Sequence, residues 1–459
     1  MQFVFQKKQP SSDAIIIQVT EEKTTDLYRD GEKGGALRIG IGKRSEMTRR
    51  GYFRLLRRIV REAQSRNLEQ IRIELSSLTF SKLQIPSREL LELIGYHFEI
   101  AQFEFDTYRT EDRAERKKIR TVFLIGNATK TLQSALERGT LIAQEVNQAR
   151  TLSNTPAGEM TPETLAAAAI NAAQGTKKVR VTVLTPADMK KLKMGAILGV
   201  GQGSDSPPRF IVMEYKGAGK KPPVILVGKG VTFDSGGINI KSTSGLEDMH
   251  LDMSGAAVVM HAIIAAAKLE LKKNIVTLIP AVENMPSGAS YRPGDILKSM
   301  SGRTIEIGDT DAEGRVILAD ALTYAQKYKP KLIIDVATLT GAAEVALGQR
   351  ACALFSNREH LLGPFIKHGD AIGDYVWPLP LWEEYDSDLK ATFGDIANSH
   401  KTRLGGAIIG ARFLNRFVEN VPWVHIDMAP RMVAIDGDQL AKGSTGEPTH
   451  LLVKVLERM

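Results

Sequence analysis

A chain of 459 residues with 43% apolar and 25% charged side chains has the balance of an ordinary soluble globular protein, too long for one domain. One cysteine, Cys352, excludes an intramolecular disulfide framework and a cysteine-built zinc site; its surroundings, GQRACALF, read as a buried apolar thiol. The net charge of +8 sits mostly in residues 1–150 (27 Lys and Arg, 20 Asp and Glu), and with neither a membrane-length apolar run nor a secretory start in MQFVFQKKQP, a cytoplasmic protein is expected.

Residues 1–125 alternate short apolar runs with helical patterns. AIIIQV, ALRIGIG, IRIEL, HFEIAQFEF and TVFLIG read as strands, and residues around 46–65 and 87–95 as helices. Along RGYFRLLRRIVREAQ, Arg50, Arg54, Arg57, Arg58 and Arg61 fall at helical spacing and predict a basic stripe, with Leu55, Leu56, Ile59 and Val60 on the other face. Such a stripe is either a solvated helix surface or a face for an anionic partner, nucleic acid included. The long amphipathic helix TLQSALERGTLIAQEVNQARTLSN then closes an N-terminal α/β domain at 1–150. Pro156 and Gly158 end that element, and Thr161, Pro162 and Glu163 start another helix, with proline at its first position.

From about residue 160 strands and helices alternate. VRVTVLT, AILGVGQG, RFIVMEY, PVILVG, NIVTLIPAV, KLIIDVATL, ACALFS and WVHIDMA read as strands; MSGAAVVMHAIIAAAKLEL, GRVILADALTYAQKY and GGAIIGARFLNRFV read as helices. The pattern predicts a C-terminal α/β catalytic domain, 160–459, with a central, mostly parallel sheet covered by helices. Ligands of such sheets bind beyond the carboxyl ends of the strands. Lys229 and Asp234 follow PVILVG, and the ATLTG loop follows KLIIDV, as that rule requires.

Two blocks concentrate the chemistry: VGKGVTFDSGGINIKSTSGLEDMHLDMSGAA and GDTDAEGRVILADAL. Asp234, Asp252, Asp311 and Glu313 are hard oxygen ligands, and in one pocket they repel one another unless multivalent cations neutralise them. A carboxylate has two oxygens and can bridge two cations, as a two-metal hydrolase requires. An isolated aspartate near a helix start is more often an N-cap, but seven ionisable residues in two blocks favour a metal site. Lys229 in its Gly-Lys-Gly turn lacks the rest of a phosphate loop. The eight histidines form no zinc pattern; His250 reads as a supporting or core residue and His425 as a satisfied strand histidine.

GKGVTFDSGG, IK, LDMSGAA, ENMPSGASYRPGDIL, TDAEGR and DVATLTGA, in that order from about Val224 to Gly341, resemble the leucine aminopeptidase family. The resemblance implies a metal-dependent aminopeptidase that prefers leucine and other apolar first residues. Asp234 and Glu313 would bridge two cations, with Lys229 and Asp252 completing one site and Asp311 the other. Zn²⁺ is the first expectation, with Mn²⁺, Mg²⁺ or Co²⁺ exchanging at the looser position. Lys229 must lose its proton to serve as a ligand, which two cations and burial both favour. By the same carry-over Lys241 stabilises the oxyanion of a carbonyl attacked by metal-activated water, and Arg315 holds a bicarbonate that acts as general base. Met249, Thr338 and Gly341 match positions lining the pocket for the first side chain. The implied partners are short peptides with a free N-terminus, and the implied assembly is a homohexamer, a dimer of trimers with sites facing an interior cavity.

Three departures stand out. Gly158 replaces an asparagine, Gly308-Asp309 replaces an Asp-Asn pair and puts a further carboxylate near the site, and the tail GSTGEPTHLLVKVLERM fits loosely. Two other readings compete: a DNA-binding or scaffolding role for the basic first domain, and a dipeptidase or Cys-Gly hydrolase using the same site.

Overall fold

The computed structural model describes residues 1–7, 14–29, 35–111, 118–176 and 178–459. The chain forms two compact units: one of Met1–Asn147 with Ala434–Lys442, the other of Gln148–Val433 with Gly443–Met459.

The first unit is built on a six-stranded sheet, in the order Gln2–Gln6, Thr121–Ile125, Gln70–Glu74, Ile15–Thr20, Gly35–Gly40, Thr25–Arg29. All neighbours run parallel except the last pair. The outer strands Gln2–Gln6 and Thr25–Arg29 are not among the strands read from the sequence. HFEIAQFEF is not a strand: His97–Gln102 is the last part of a helix, Ser87–Gln102. Its alternation suits a strand, but Leu90, Ile94, Phe98 and Ala101 also recur at helical spacing and are buried. Tertiary packing decides the matter. A Cβ on Gly95 would strike the Leu136 carbonyl, and one on Gly139 the Glu92 carbonyl, so two glycines let this helix and Lys130–Asn154 pack closely.

The predicted basic stripe is broken up. The helix Arg49–Ser65 buries Leu55, Leu56, Ile59 and Val60 as expected, but Arg57 is buried with them. It donates to His97 Nδ1 and the Asp438 carbonyl, both at 3.2 Å. Arg58 donates to the Gly40 carbonyl and to Thr25 Oγ1, and Arg61 pairs with Glu104 at 2.9 Å. Arg50 and Arg54 remain exposed, too few for a continuous phosphate-binding face. Arg54 and Arg58, with Lys43, Ile41, Met47 and Leu55, line a groove of about 470 Å³ in this unit.

The second unit holds a nine-stranded sheet. Its path runs Val376–Pro378, Cys352–Ser356, Trp423–Asp427, Leu332–Ala337, Val224–Gly228, Asn274–Asn284, Arg209–Lys216, Val179–Leu184, with Gly230–Asp234 beside Asn274–Asn284. The four central strands of that path are mutually parallel, and their apolar side chains are buried on both faces. AILGVGQG, expected as a strand, is the helix Gly195–Gly201. The helix Ser254–Lys268 is almost wholly buried against the sheet. Together with the residues before it, Thr243–Lys268 is apolar enough to cross a membrane, contrary to the composition reading. Because 89% of its most apolar 18-residue stretch is buried inside the protein, it is a core helix. Cys352 is buried, as expected.

Candidate metal centre

The site lies at the carboxyl ends of the central strands. Lys229 separates the strands Val224–Gly228 and Gly230–Asp234, and Asp234 ends the second of them. Asp252 sits in a 3₁₀ turn, Met249–Met253, immediately before the buried core helix. Glu313 is the first residue of the helix Glu313–Ala325, and Asp311 precedes it by two. Gly255 makes this convergence sterically feasible, because a Cβ there would collide with the Val336 carbonyl of the neighbouring strand.

Asp234, Asp252 and Glu313, all buried, each bring one carboxylate oxygen to within 4.8 Å of the others. Lys229 Nζ lies 2.9 and 2.7 Å from the two oxygens of Asp252, 2.8 Å from Glu313 Oε1 and 2.9 Å from the Thr338 carbonyl. Gly314 leaves room for it, since a Cβ there would lie 2.5 Å from Lys229 Cε. Lys241 Nζ stands 2.9 Å from Asp234 Oδ2 and also contacts Asp311 Oδ1. Asp311 thus joins the cluster through Lys241, and its half-exposed side chain is the most open of the four carboxylates.

Burial pushes the carboxyls of Asp252, Asp311 and Glu313 above the ordinary range, and the neighbouring carboxylates push further. Burial also disfavours both ammonium groups, yet the carboxylates around Lys229 and Lys241 outweigh it and raise them. With the lysines charged, four carboxylates face two cations. That excess of buried negative charge suits divalent cations, and the oxygen-rich donor set suits hard or borderline ones. Lys229 would exchange its proton for a cation on loading.

Arg315 is buried in the Glu313–Ala325 helix, so it is not a surface salt-bridge residue. Its Nη1 donates to the Asn398 carbonyl at 3.0 Å, while its buried Nε meets no acceptor among the described residues. That free donor fits a small anion beside the carboxylates.

The other expected residues are dispersed in role. Thr338 is buried and its hydroxyl donates to Asp252. Met249 is half-exposed three residues before Asp252, and Gly341 opens a short exposed helix, Gly341–Leu347. His250 is half-buried in the same turn as Met249. His425 lies in the strand Trp423–Asp427 with Nδ1 2.5 Å from Asp335 Oδ1. Asp309 Oδ1 accepts the Asp311 N–H at 2.9 Å, so its carboxylate braces the loop from within.

Sequence reading missed two asparagines. Asn284, in ENMPSG at the end of a central strand, donates to Asp234 Oδ1 at 2.8 Å and to the Thr310 carbonyl at 2.9 Å. Its place at a strand's carboxyl end was the available signal. Asn398, in DIANSH, contacts the 308–312 loop from a segment with no motif.

Residues 147–453 match the profile of the cytosol aminopeptidase family, catalytic domain. A probable cytosol aminopeptidase of Syntrophotalea carbinolica is 42% identical over 402 residues, covering 86% of this chain and 80% of that protein. Its counterpart from Aromatoleum aromaticum is 41% identical over 429 residues, covering 92% and 84%. The solved structure of the bottromycin maturation enzyme BotP in complex with Mn superposes with a TM-score of 0.88 at 29% identity, covering 97% of this chain and 99% of that one.

Proposed function

The chain belongs to the cytosol aminopeptidase family and is a metal-dependent aminopeptidase; from this we propose that it removes leucine and other apolar N-terminal residues from short peptides by a two-metal mechanism. The observation that carries the reading is the convergence of buried Asp234, Asp252 and Glu313, with Asp311 joined to them through Lys241. Asp234 and Glu313 would bridge the cations, Lys229 and Asp252 would complete one site, and Asp311 the other. Two bound cations supply a water acidic enough to attack at neutral pH and a positive charge that polarises the scissile carbonyl.

The chain's own residues do the rest. Lys241, within reach of Asp234 and Asp311, would place an ammonium beside the developing oxyanion. Arg315 Nε would hold bicarbonate as general base. Met249, Thr338, Gly341 and Lys241 would border the bound first residue. Mn in the BotP structure supports manganese alongside zinc as a working metal. A cytoplasmic homohexamer is part of the proposal; Val345, Phe393 and Leu404, at 89, 84 and 79% exposure, are apolar groups that an assembly would cover.

Release of leucine from Leu-p-nitroanilide by metal-free protein, titrated with Zn²⁺, Mn²⁺ and Co²⁺ in bicarbonate buffer, tests the reaction. Activity should require metal and vanish in Glu313→Ala. Wild-type protein inactive with every metal would sink the leucine-releasing mechanism. Light scattering of the same sample reads the assembly.

A further inference from the structure

We infer that Asn398 is a positioning residue that fixes the loop carrying Asp311 and leading to Glu313, and thereby sets the affinity of the centre for divalent cations. This rests on the metal-site reading proposed above and extends it to a residue outside both motif blocks.

Asn398 is fully buried, and both ends of its side-chain amide are used. Oδ1 accepts the N–H groups of Gly308 and Asp309, at 2.8 and 3.3 Å. Nδ2 donates to the carbonyls of Asp309 and Ala312, at 2.6 and 3.4 Å. One side chain thus clasps residues 308–312 at both ends, with Asp311 between the held points. Its backbone joins the same structure: the Asn398 N–H donates to the Glu306 carbonyl at 3.0 Å, and its carbonyl accepts from Arg315 Nη1 at 3.0 Å. A loop of five residues has no ladder of its own to fix it. Asp309 braces it from within and Asn284 holds the Thr310 carbonyl, while its two ends are held by Asn398, a side chain with two acceptor positions and two donors in a fixed plane. Aspartate has the same shape but no Nδ2 donors. Its second oxygen would face the Asp309 and Ala312 carbonyls and repel them.

Asn398→Ser gives a second handle. It removes both ends of the amide and sets no second oxygen against the Asp309 and Ala312 carbonyls.

The experiment measures Mn²⁺ binding by calorimetry on wild type, Asn398→Asp and Asn398→Ser, with a urea unfolding curve for each. The expected result is Mn²⁺ affinity lower by roughly 10–100-fold in both variants, the usual effect of removing a support behind metal ligands. A purely structural role would shift the unfolding midpoint and leave Mn²⁺ affinity alone. Unchanged affinity in a folded Asn398→Asp overturns the inference. Should that variant not fold, unchanged affinity in a folded Asn398→Ser overturns it equally. Wild type that takes up no Mn²⁺ overturns the metal reading, and this inference with it.

Discussion

The Thr338 hydroxyl donates to Asp252 Oδ1 at 2.7 Å and to the Asp252 carbonyl at 3.1 Å, while the Thr338 carbonyl accepts from Lys229 Nζ. A residue proposed to border the first side chain of the substrate therefore also holds two candidate metal ligands. Thr338→Val keeps the shape and removes the donor. We expect Mn²⁺ affinity to fall by about 10–100-fold, as when a support behind a metal ligand is lost. Calorimetry checks it. Unchanged Mn²⁺ affinity with an altered Leu-to-Ala substrate ratio would show a pocket wall and nothing more.

Loading the centre should stabilise the fold. Without cations the site holds four carboxylates against Lys229 and Lys241, three of the four with carboxyls pushed up by burial. A ligand that binds only the folded state adds about 2.7 kcal/mol at a hundred times its dissociation constant. EDTA-treated protein should gain that much in urea unfolding on adding Mn²⁺. Glu313→Gln, lacking one carboxylate charge, should gain far less. Equal gains in both would place the bound ion elsewhere.

A second buried polar cluster lies within the central sheet. Asp335 accepts from Trp423 Nε1 at 2.5 Å and sits 2.5 Å from His425 Nδ1, with all three side chains fully buried. Burial opposes the imidazolium, but Asp335 outweighs it and raises the His425 pKa. The folded state therefore holds a proton that the unfolded chain releases near pH 6.5. The pair's contribution is full below that pH and is lost as pH rises through the higher native value. His425→Gln leaves a buried carboxylate without its cation and should cost about 3–5 kcal/mol. Its urea midpoint should lack the decline that wild type shows on the alkaline side. A variant with the wild-type pH slope would mean that another group titrates there.

How far the sequence could be read depended on whether a residue's partners lay nearby in the chain. The central strands announce themselves as continuous apolar runs because both faces are covered, and the motif blocks place Lys229, Asp234, Asp252 and Glu313 where those strands end. The basic stripe failed because Arg57 is drawn inward by His97 and Asp438, 40 and 381 residues away. Asn398 was illegible for the same reason: its amide serves a loop about 90 residues earlier. Periodicity reports which face is apolar, and it cannot report a polar partner brought up by the fold.

The misread helix Gly195–Gly201 makes that point testable. AILGVGQG has three glycines and β-branched residues, which disfavour a helix, and no side-chain cap of its own. Asp320, 124 residues on, supplies one: Oδ2 accepts the N–H groups of Ala196 and Ile197, both at 3.0 Å, and Oδ1 accepts from Met300 at 2.7 Å. Burial nevertheless pushes the Asp320 carboxyl up to about 7 against these three amides. The folded state thus binds a proton that the unfolded chain has lost above about pH 4. Stability should fall as pH climbs from about 4 to 7 and level off beyond it. Asp320→Asn removes that slope. It also turns an amide donor toward one of the three N–H groups, leaving a buried donor unsatisfied at a cost of about 1–3 kcal/mol. Urea unfolding of both proteins between pH 5 and 8 should show the gap between them narrowing as pH rises, because only wild type loses stability over that range. A gap that stays constant instead would mean that the three amides hold Asp320 ionised throughout.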